Sequence, residues 1–145
     1  MTSQVVWDDP LNCLCANTRR AARHITQAYD DALRPVGLRA TQFFLLTALS
    51  RAAGSEGIPV GELADILGMD RTTLTRNLAI AERQQWIDTG AAKDRRSKLI
   101  RLAPKGKTLL GKALPYWKGA QRRLQDRLGQ QKATLLLSLA QSIGS

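Results

Sequence analysis

Along the first part of the chain, apolar and small side chains return every three or four positions. Leu11, Leu14, Thr18, Ala21, Ile25, Ala28 and Ala32 fall on one stripe, the period of a helix face. Asp8 and Asp9 before Pro10 suit a helix start, because acids favour the positive end and proline fits the first turn. Pro35 and Gly37 close the pattern near Leu33. A second helix is predicted from about Thr41, carrying Phe43, Phe44, Leu46 and Leu49 and ending before Gly54-Ser55-Glu56-Gly57. Ile58-Pro59-Val60 reads as a short extended piece. A brief third helix then runs from Gly61 to Leu67 with Gly68 as its C-cap, and Asp70 opens a fourth that continues to about Gln85. Two strands follow, Trp86 to Gly90 and Lys98 to Leu102, around the polar stretch from Ala91 to Ser97. Pro104 opens a long helix with Leu109, Leu110, Ala113, Leu114, Trp117, Ala120, Leu124 and Leu128 inward. After Gly129 a last helix runs from about Lys132 to Ile143.

Two helices joined by a short turn containing glycine form a helix-turn-helix, and the hairpin behind them reads as a wing with a charged tip. The predicted fold is therefore mainly α with a small β-hairpin: a winged helix-turn-helix with long N- and C-terminal helices. One domain is expected over 1–145. Residues of about 40–103 would form the winged lobe, and about 8–34 and 104–145 the arms. Such arms are apolar on one face and lie outside the small lobe, so a second copy is expected to cover them.

Composition narrows the chemistry. Twenty-two lysines and arginines stand against twelve acids, a formal charge of +10 that favours polyanionic partners. No apolar run is long enough to cross a bilayer, and Met1-Thr2-Ser3-Gln4 does not read as a secretion signal. A cytoplasmic protein without membrane contact is expected. Cys13 and Cys15 are too close in sequence to staple a fold, and two ligands alone do not make a zinc site. With one histidine, His24, and no phosphate loop or nucleophile motif, neither an enzyme nor a bound metal or cofactor is expected.

The charge is unevenly placed. From Arg71 to Arg101 there are eight basic residues and three acids, half the surplus in about a fifth of the length. On a helical wheel Leu74, Leu78 and Ala81 point to the core. Thr72, Arg76 and Arg83 point away, with Thr73, Thr75 and Asn77 on the shoulders and Arg71 at the start. These residue types reach base edges and phosphates in a major groove, and the positive helix end adds attraction for phosphate. Arg95 and Arg96 at the hairpin tip, with Lys98 beside them, suit a narrow minor groove; Asp94 is placed to hold Arg96 in position. The partner implied is double-stranded DNA. In a two-fold dimer the two helices would meet major grooves about 34 Å apart, which demands an inverted repeat. The competing reading is a winged-helix interaction module that docks on protein or RNA without a preferred DNA site.

The stretch Leu63-Ala64-x-x-Leu67-Gly68-x-Asp70-Arg71-x-x-Leu74-Thr75-Arg76, with Asp94-Arg95-Arg96-Ser97 and Leu102-Ala103-Pro104-Lys105-Gly106, resembles the multiple antibiotic resistance regulator (MarR) family. Ala103 stands where that family usually has threonine, which weakens the cap of the next helix. The resemblance implies a homodimeric transcription regulator, usually a repressor, that binds palindromic operators and leaves them on ligand binding or thiol oxidation.

Two control devices follow from the resemblance. Cys15 with Tyr29 resembles the peroxide-sensing branch of the family, although Ala40 and Arg19 occupy positions where that branch carries aromatic residues. A start-of-helix position and nearby Arg19 would favour the thiolate, and Cys13 is a second thiol close by. The alternative is a pocket among the first, second and fifth helices for a small aromatic or carboxylate effector, with Arg19, Arg23, His24, Phe43 and Phe44 as its lining.

Overall fold

The computed structural model describes residues 4–52, 56–91 and 98–143. Asp9 accepts the Leu11 N–H at 2.9 Å and starts a single 3-10 turn, Pro10–Asn12. The first long helix, α1, begins only at Leu14 and runs to Leu33. Cys13 therefore precedes the helix instead of lying on it. A 3-10 turn at Arg34–Val36 ends at Gly37, whose φ of 72° is the left-handed conformation that glycine adopts without penalty.

Helix α2, Ala40–Ala52, is the hub of the molecule. Both of its first donors are met by side chains. Asp30 on α1 accepts the Ala40 N–H at 2.7 Å, and Gln42 accepts the Arg39 N–H at 2.9 Å, as a residue in the first turn does in a capping box. Leu45, Leu46 and Leu49 are fully buried, and the helix packs against the later segments Val60–Leu67, Lys98–Leu102 and Pro104–Leu128. Phe43 joins them, whereas Phe44 remains partly exposed.

The winged lobe follows as β1 (Ile58–Pro59), α3 (Val60–Leu67), α4 (Arg71–Arg83), β2 (Ile87–Ala91) and β3 (Lys98–Leu102). The sheet has three antiparallel strands in the order β1-β3-β2. Ile58 pairs with Ile100, and Ile87 with Leu102, so the expected extended piece is a true edge strand. Ile58, Ile87 and Ile100 all turn inward onto Leu63 and Leu74.

Helix α5, Pro104–Leu128, leaves the sheet and reaches away from it for about 37 Å. Its start is pinned to the turn after α4. Ala103 donates its N–H to the Trp86 carbonyl at 2.9 Å, and no side chain caps this helix, as the alanine predicts. Helix α6, Gln130–Ser142, folds back after Gly129. The described arms leave much apolar surface open. Val5, Val6, Trp7, Leu11 and Leu14 at one end and Leu135, Leu136, Leu137, Leu139 and Ile143 on or beside α6 are all exposed.

Gly106 is the tightest glycine in the fold. A Cβ there would lie 2.1 Å from the Trp86 carbonyl oxygen, a backbone atom that cannot step aside alone. Gly106→Ala is expected to destabilise the protein by at least about 1–3 kcal/mol, the usual range for overpacking. Urea unfolding would measure it, with Gly61→Ala as the control, since the nearest atom there is a flexible Arg71 guanidinium nitrogen at 3.6 Å. Equal losses in the two variants would mean that the Trp86 contact is not the constraint.

Candidate nucleic-acid interface

The turn between α3 and α4 is built from three neighbouring residues. Gly68, at φ 60°, ends α3 in the left-handed conformation and returns its N–H to the carbonyls of the last turn. Asp70 then opens α4: one carboxylate oxygen accepts the Thr73 N–H at 2.9 Å, and the other accepts the Thr73 hydroxyl at 2.7 Å. These two bonds, backbone first, hold the Asp70 carboxyl below its ordinary pKa. The start of α4 is thus fixed by a charged cap.

From that cap the helix presents Arg71, Thr72, Thr75, Arg76 and Arg83 to solvent. Leu74 and Ala81 are fully buried on the opposite side. Arg71 extends beside Gly61 at the start of α3. The Thr75 hydroxyl donates to the Arg71 carbonyl at 2.7 Å, which leaves its lone pairs outward. Lys98 is exposed at the start of β3. Among the described residues none of Arg71, Arg76, Arg83 and Lys98 is in an ion pair, so their charge is free for an anionic partner.

Two expected members leave this face. Asn77 is buried: its amide donates to the Thr73 carbonyl at 3.1 Å, and its oxygen accepts from Thr41 at 3.4 Å. It ties α4 to α2 rather than facing outward, because the packing of α2 covers that shoulder of the wheel. Thr73 is half-buried with its hydroxyl spent on the Asp70 cap. The wing-tip residues Asp94, Arg95 and Arg96 lie outside the described residues.

The effector pocket also differs from expectation. A cavity of about 550 Å³ lies between α2 and α5, lined among others by Phe43, Phe44, Arg51, Lys107 and Trp117. Trp117 stacks on Phe43 at 5.9 Å, and Phe43 and Phe44 meet edge to face at 5.9 Å. The Trp117 indole N–H is buried without a hydrogen-bond partner among the described residues. Arg19, Arg23 and His24 are exposed on α1 and take no part in this cavity. The reason is the antiparallel offset of α1 on α5. Tyr29, late in α1, bonds to Gln121, so the earlier turns of α1 lie along the later turns of α5, away from the cavity. Arg51, Lys107 and Trp117 carried no sequence signal beyond helical periodicity; only the packing brings them together.

Cys13 and Cys15 are both free and exposed. Tyr29 is buried, its hydroxyl donates to Gln121, and burial pushes its pKa up. Fourteen residues of helix separate Cys15 from Tyr29, about 21 Å, so one chain does not bring the expected pair together. Among the described residues no cluster of His, Cys, Asp and Glu could hold a metal ion, and no helix is long and apolar enough to cross a membrane.

A sequence model of the MarR family matches residues 36–97. The transcriptional regulator MosR of M. tuberculosis, solved in complex with DNA, is 41% identical, over 90% of this chain and 96% of that one, with a TM-score of 0.78. CouR, a transcriptional repressor bound to a 23-mer DNA duplex, is 25% identical over 99% of this chain and 100% of that one, at 0.79. The CouR of Rhodococcus jostii RHA1 bound to p-coumaroyl-CoA superposes at 0.76 with 22% identity, over 98% and 96% of the two chains. No curated protein is a significant match to the sequence.

The cap gives a pH prediction. Because the folded Asp70 pKa is depressed, its share of stability is present above the ordinary value of about 3.9. That share is lost as pH falls through the lower folded value. The Thr73 amide, followed by NMR from neutral to acid, should shift and exchange faster in that range, with α4 fraying from its first turn. An amide indifferent to acid, or unchanged by Asp70→Ala, would rule out the cap as the anchor of α4.

Proposed function

The chain belongs to the MarR family, and we propose that it is a homodimeric, sequence-specific double-stranded DNA-binding transcription regulator acting through the outer face of α4. One observation carries the reading: a helix held at its N-terminus by Asp70 and bonded to α2 through Asn77, with Arg71, Thr72, Thr75, Arg76 and Arg83 exposed and the three arginines in no ion pair among the described residues. Arginine in this position can bind guanine bidentately, and the threonines reach bases or phosphates. Lys98 adds a phosphate contact from the wing. Arg95 and Arg96 at its tip are assigned to the minor groove, with Asp94 holding Arg96, on the strength of the sequence.

The exposed leucines of α6 and the apolar N-terminal residues are assigned to the pairing of two copies. The chain then works as one domain, with about 40–103 on DNA and about 8–34 with 104–145 between subunits. Repression at an inverted-repeat operator in the cytoplasm is the expected mode, and we assign no catalytic role. MosR and CouR, solved on DNA, support this assignment.

We assign the α2–α5 cavity to a small aromatic carboxylate that releases the operator. Phe43, Phe44 and Trp117 offer ring faces, while Arg51 and Lys107 supply charge at the rim. CouR binds p-coumaroyl-CoA. A second reading, release by thiol oxidation, rests on the exposure of Cys13 and Cys15 at the start of α1.

Operator selection from random duplex DNA tests the whole proposal. An enriched inverted repeat is expected. Loss of binding with aromatic carboxylates supports the cavity, and loss with an organic hydroperoxide, restored by thiol, supports the cysteines. No enrichment at moderate salt would replace the regulator by an interaction module. With the operator in hand, Arg76→Ala should relax base preference by about 1–3 kcal/mol at one position. Equal weakening on every sequence would make Arg76 a phosphate contact instead. Arg96→Ala should flatten the salt dependence by about one unit of slope, and an unchanged slope would remove the wing from the interface.

A further inference from the structure

Helix α5 carries three residues that weaken a helix, and packing requires none of them. Gly111, Pro115 and Gly119 follow one another at intervals of four, so they share one side of the helix. A Cβ added at Gly111 would meet nothing within 4 Å. At Gly119 it would meet only the tip of the Arg123 side chain, at 3.4 Å. Pro115 is exposed, and it has no N–H to give to the Gly111 carbonyl one turn earlier. Alanine at any of the three would make a stronger helix. Gly106, five residues before this segment, is the opposite case, since the Trp86 carbonyl forbids a side chain there.

The weak segment lies where α5 changes neighbours. Before it, Lys107 and Leu110 face α2 across the cavity. After it, Gln121, Leu124 and Leu128 face Ile25 and Tyr29 of α1, and α6 follows. One end of α5 is thus fixed to the winged lobe and the other to the arms. Gly111 and Leu114, inside the weak segment, are themselves part of the cavity wall.

Resting on the dimeric reading above, we propose that α5 bends about a hinge at Gly111, Pro115 and Gly119, and that this bend sets the separation of the two α4 helices. Bending at Pro115 breaks no hydrogen bond that the helix still has, and the glycines accept the altered backbone angles. A small change of angle at mid-helix is carried to α4 as a displacement, because the lobe beyond the hinge moves as a packed unit. The cavity on the inner side of the hinge is then the place where a bound molecule changes that angle.

The test stiffens the hinge in the full chain by Gly111→Ala, Pro115→Ala and Gly119→Ala together. Melting temperature should rise by roughly 10 °C, since each change improves the helix. Amide exchange over residues 112–118 should slow by roughly tenfold relative to the flanking turns. Spin labels at Glu82→Cys in the two copies, with Cys13→Ser and Cys15→Ser, should give a broad distance distribution that narrows in the stiffened protein. A fall in melting temperature would show that the small residues seat another surface, and would overturn the hinge. Unchanged exchange together with unchanged distance width would overturn it as well. The single variant Pro115→Ala repeats the exchange measurement should the triple change fail to fold. No DNA enters these experiments, so a chain that selects no operator would still give a decisive answer on the hinge.

Discussion

The backbone of Trp86 is bonded in both directions. Its N–H donates to the Ala81 carbonyl at the end of α4, at 2.8 Å, and its own carbonyl accepts the Ala103 N–H ahead of α5, at 2.9 Å. Gly106 then rests against the same carbonyl, and the Trp86 side chain is itself buried. Between Ala81 and Trp86 the chain turns through Gln85, whose φ of 61° is unusual for a residue with a side chain. The backbone of this one residue therefore fixes the angle between α4 and α5. The wing strands are held by the same residue, because β2 begins at the next residue and β3 ends just before Ala103. An error of packing at this junction would misplace α4 and the wing together.

Around this junction the winged lobe is tightly determined. Leu63, Leu74, Ile87 and Ile100 share one core cluster with the leucines of α2, and the start of α2, the end of α3 and the start of α4 each have a specific donor or acceptor: Asp30 and Gln42, Gly68, and Asp70. Asp30 matters beyond its bond, since it reaches from α1 to hold the first residue of α2. The arm and the lobe are thus in register before α5 joins them a second time. The two attachments differ in stiffness. The one through α1 and α2 is short and capped by side chains, whereas the one through α5 passes a proline and two glycines that touch almost nothing.

Much of this was legible in the sequence where a pattern repeats or a rare residue is required. The helical stripes, the Gly68 turn and the Asp70 cap all follow from local rules; boundaries differ from expectation by a residue or two, except that α1 begins at Leu14, four residues after Pro10. What was illegible depended on partners distant in the chain. Ile58 and Pro59 are too few to show a strand period, so only Ile100 and Leu99 opposite them reveal the pairing. Asn77 looked like a shoulder residue until Thr41 of α2 was placed beside it. The cavity depends on how α2 packs against α5, which no pattern within either helix encodes. Charge alone would also mislead, because α5 carries seven basic residues against one acid, yet lacks the side-chain N-cap that fixes the start of α4.

The cavity gains its meaning from the unequal stiffness of its two walls. Phe43, Phe44 and Thr47 stand on α2, which is buried on both sides and cannot shift without disturbing the sheet, α3 and α4 at once. Lys107, Gly111 and Leu114 stand on α5, exposed along its outer side and interrupted at Pro115. A molecule inserted between a rigid wall and a pliable one displaces the pliable one, because the free energy of deformation is smaller there. On the proposed hinge, occupancy of the α2–α5 cavity would be felt at α4 without any contact between the bound molecule and the outer face of α4. Such coupling would be only as large as the bound molecule's preference for one bend over another, a preference we assign to the aromatic surface of Trp117 and the charge of Lys107.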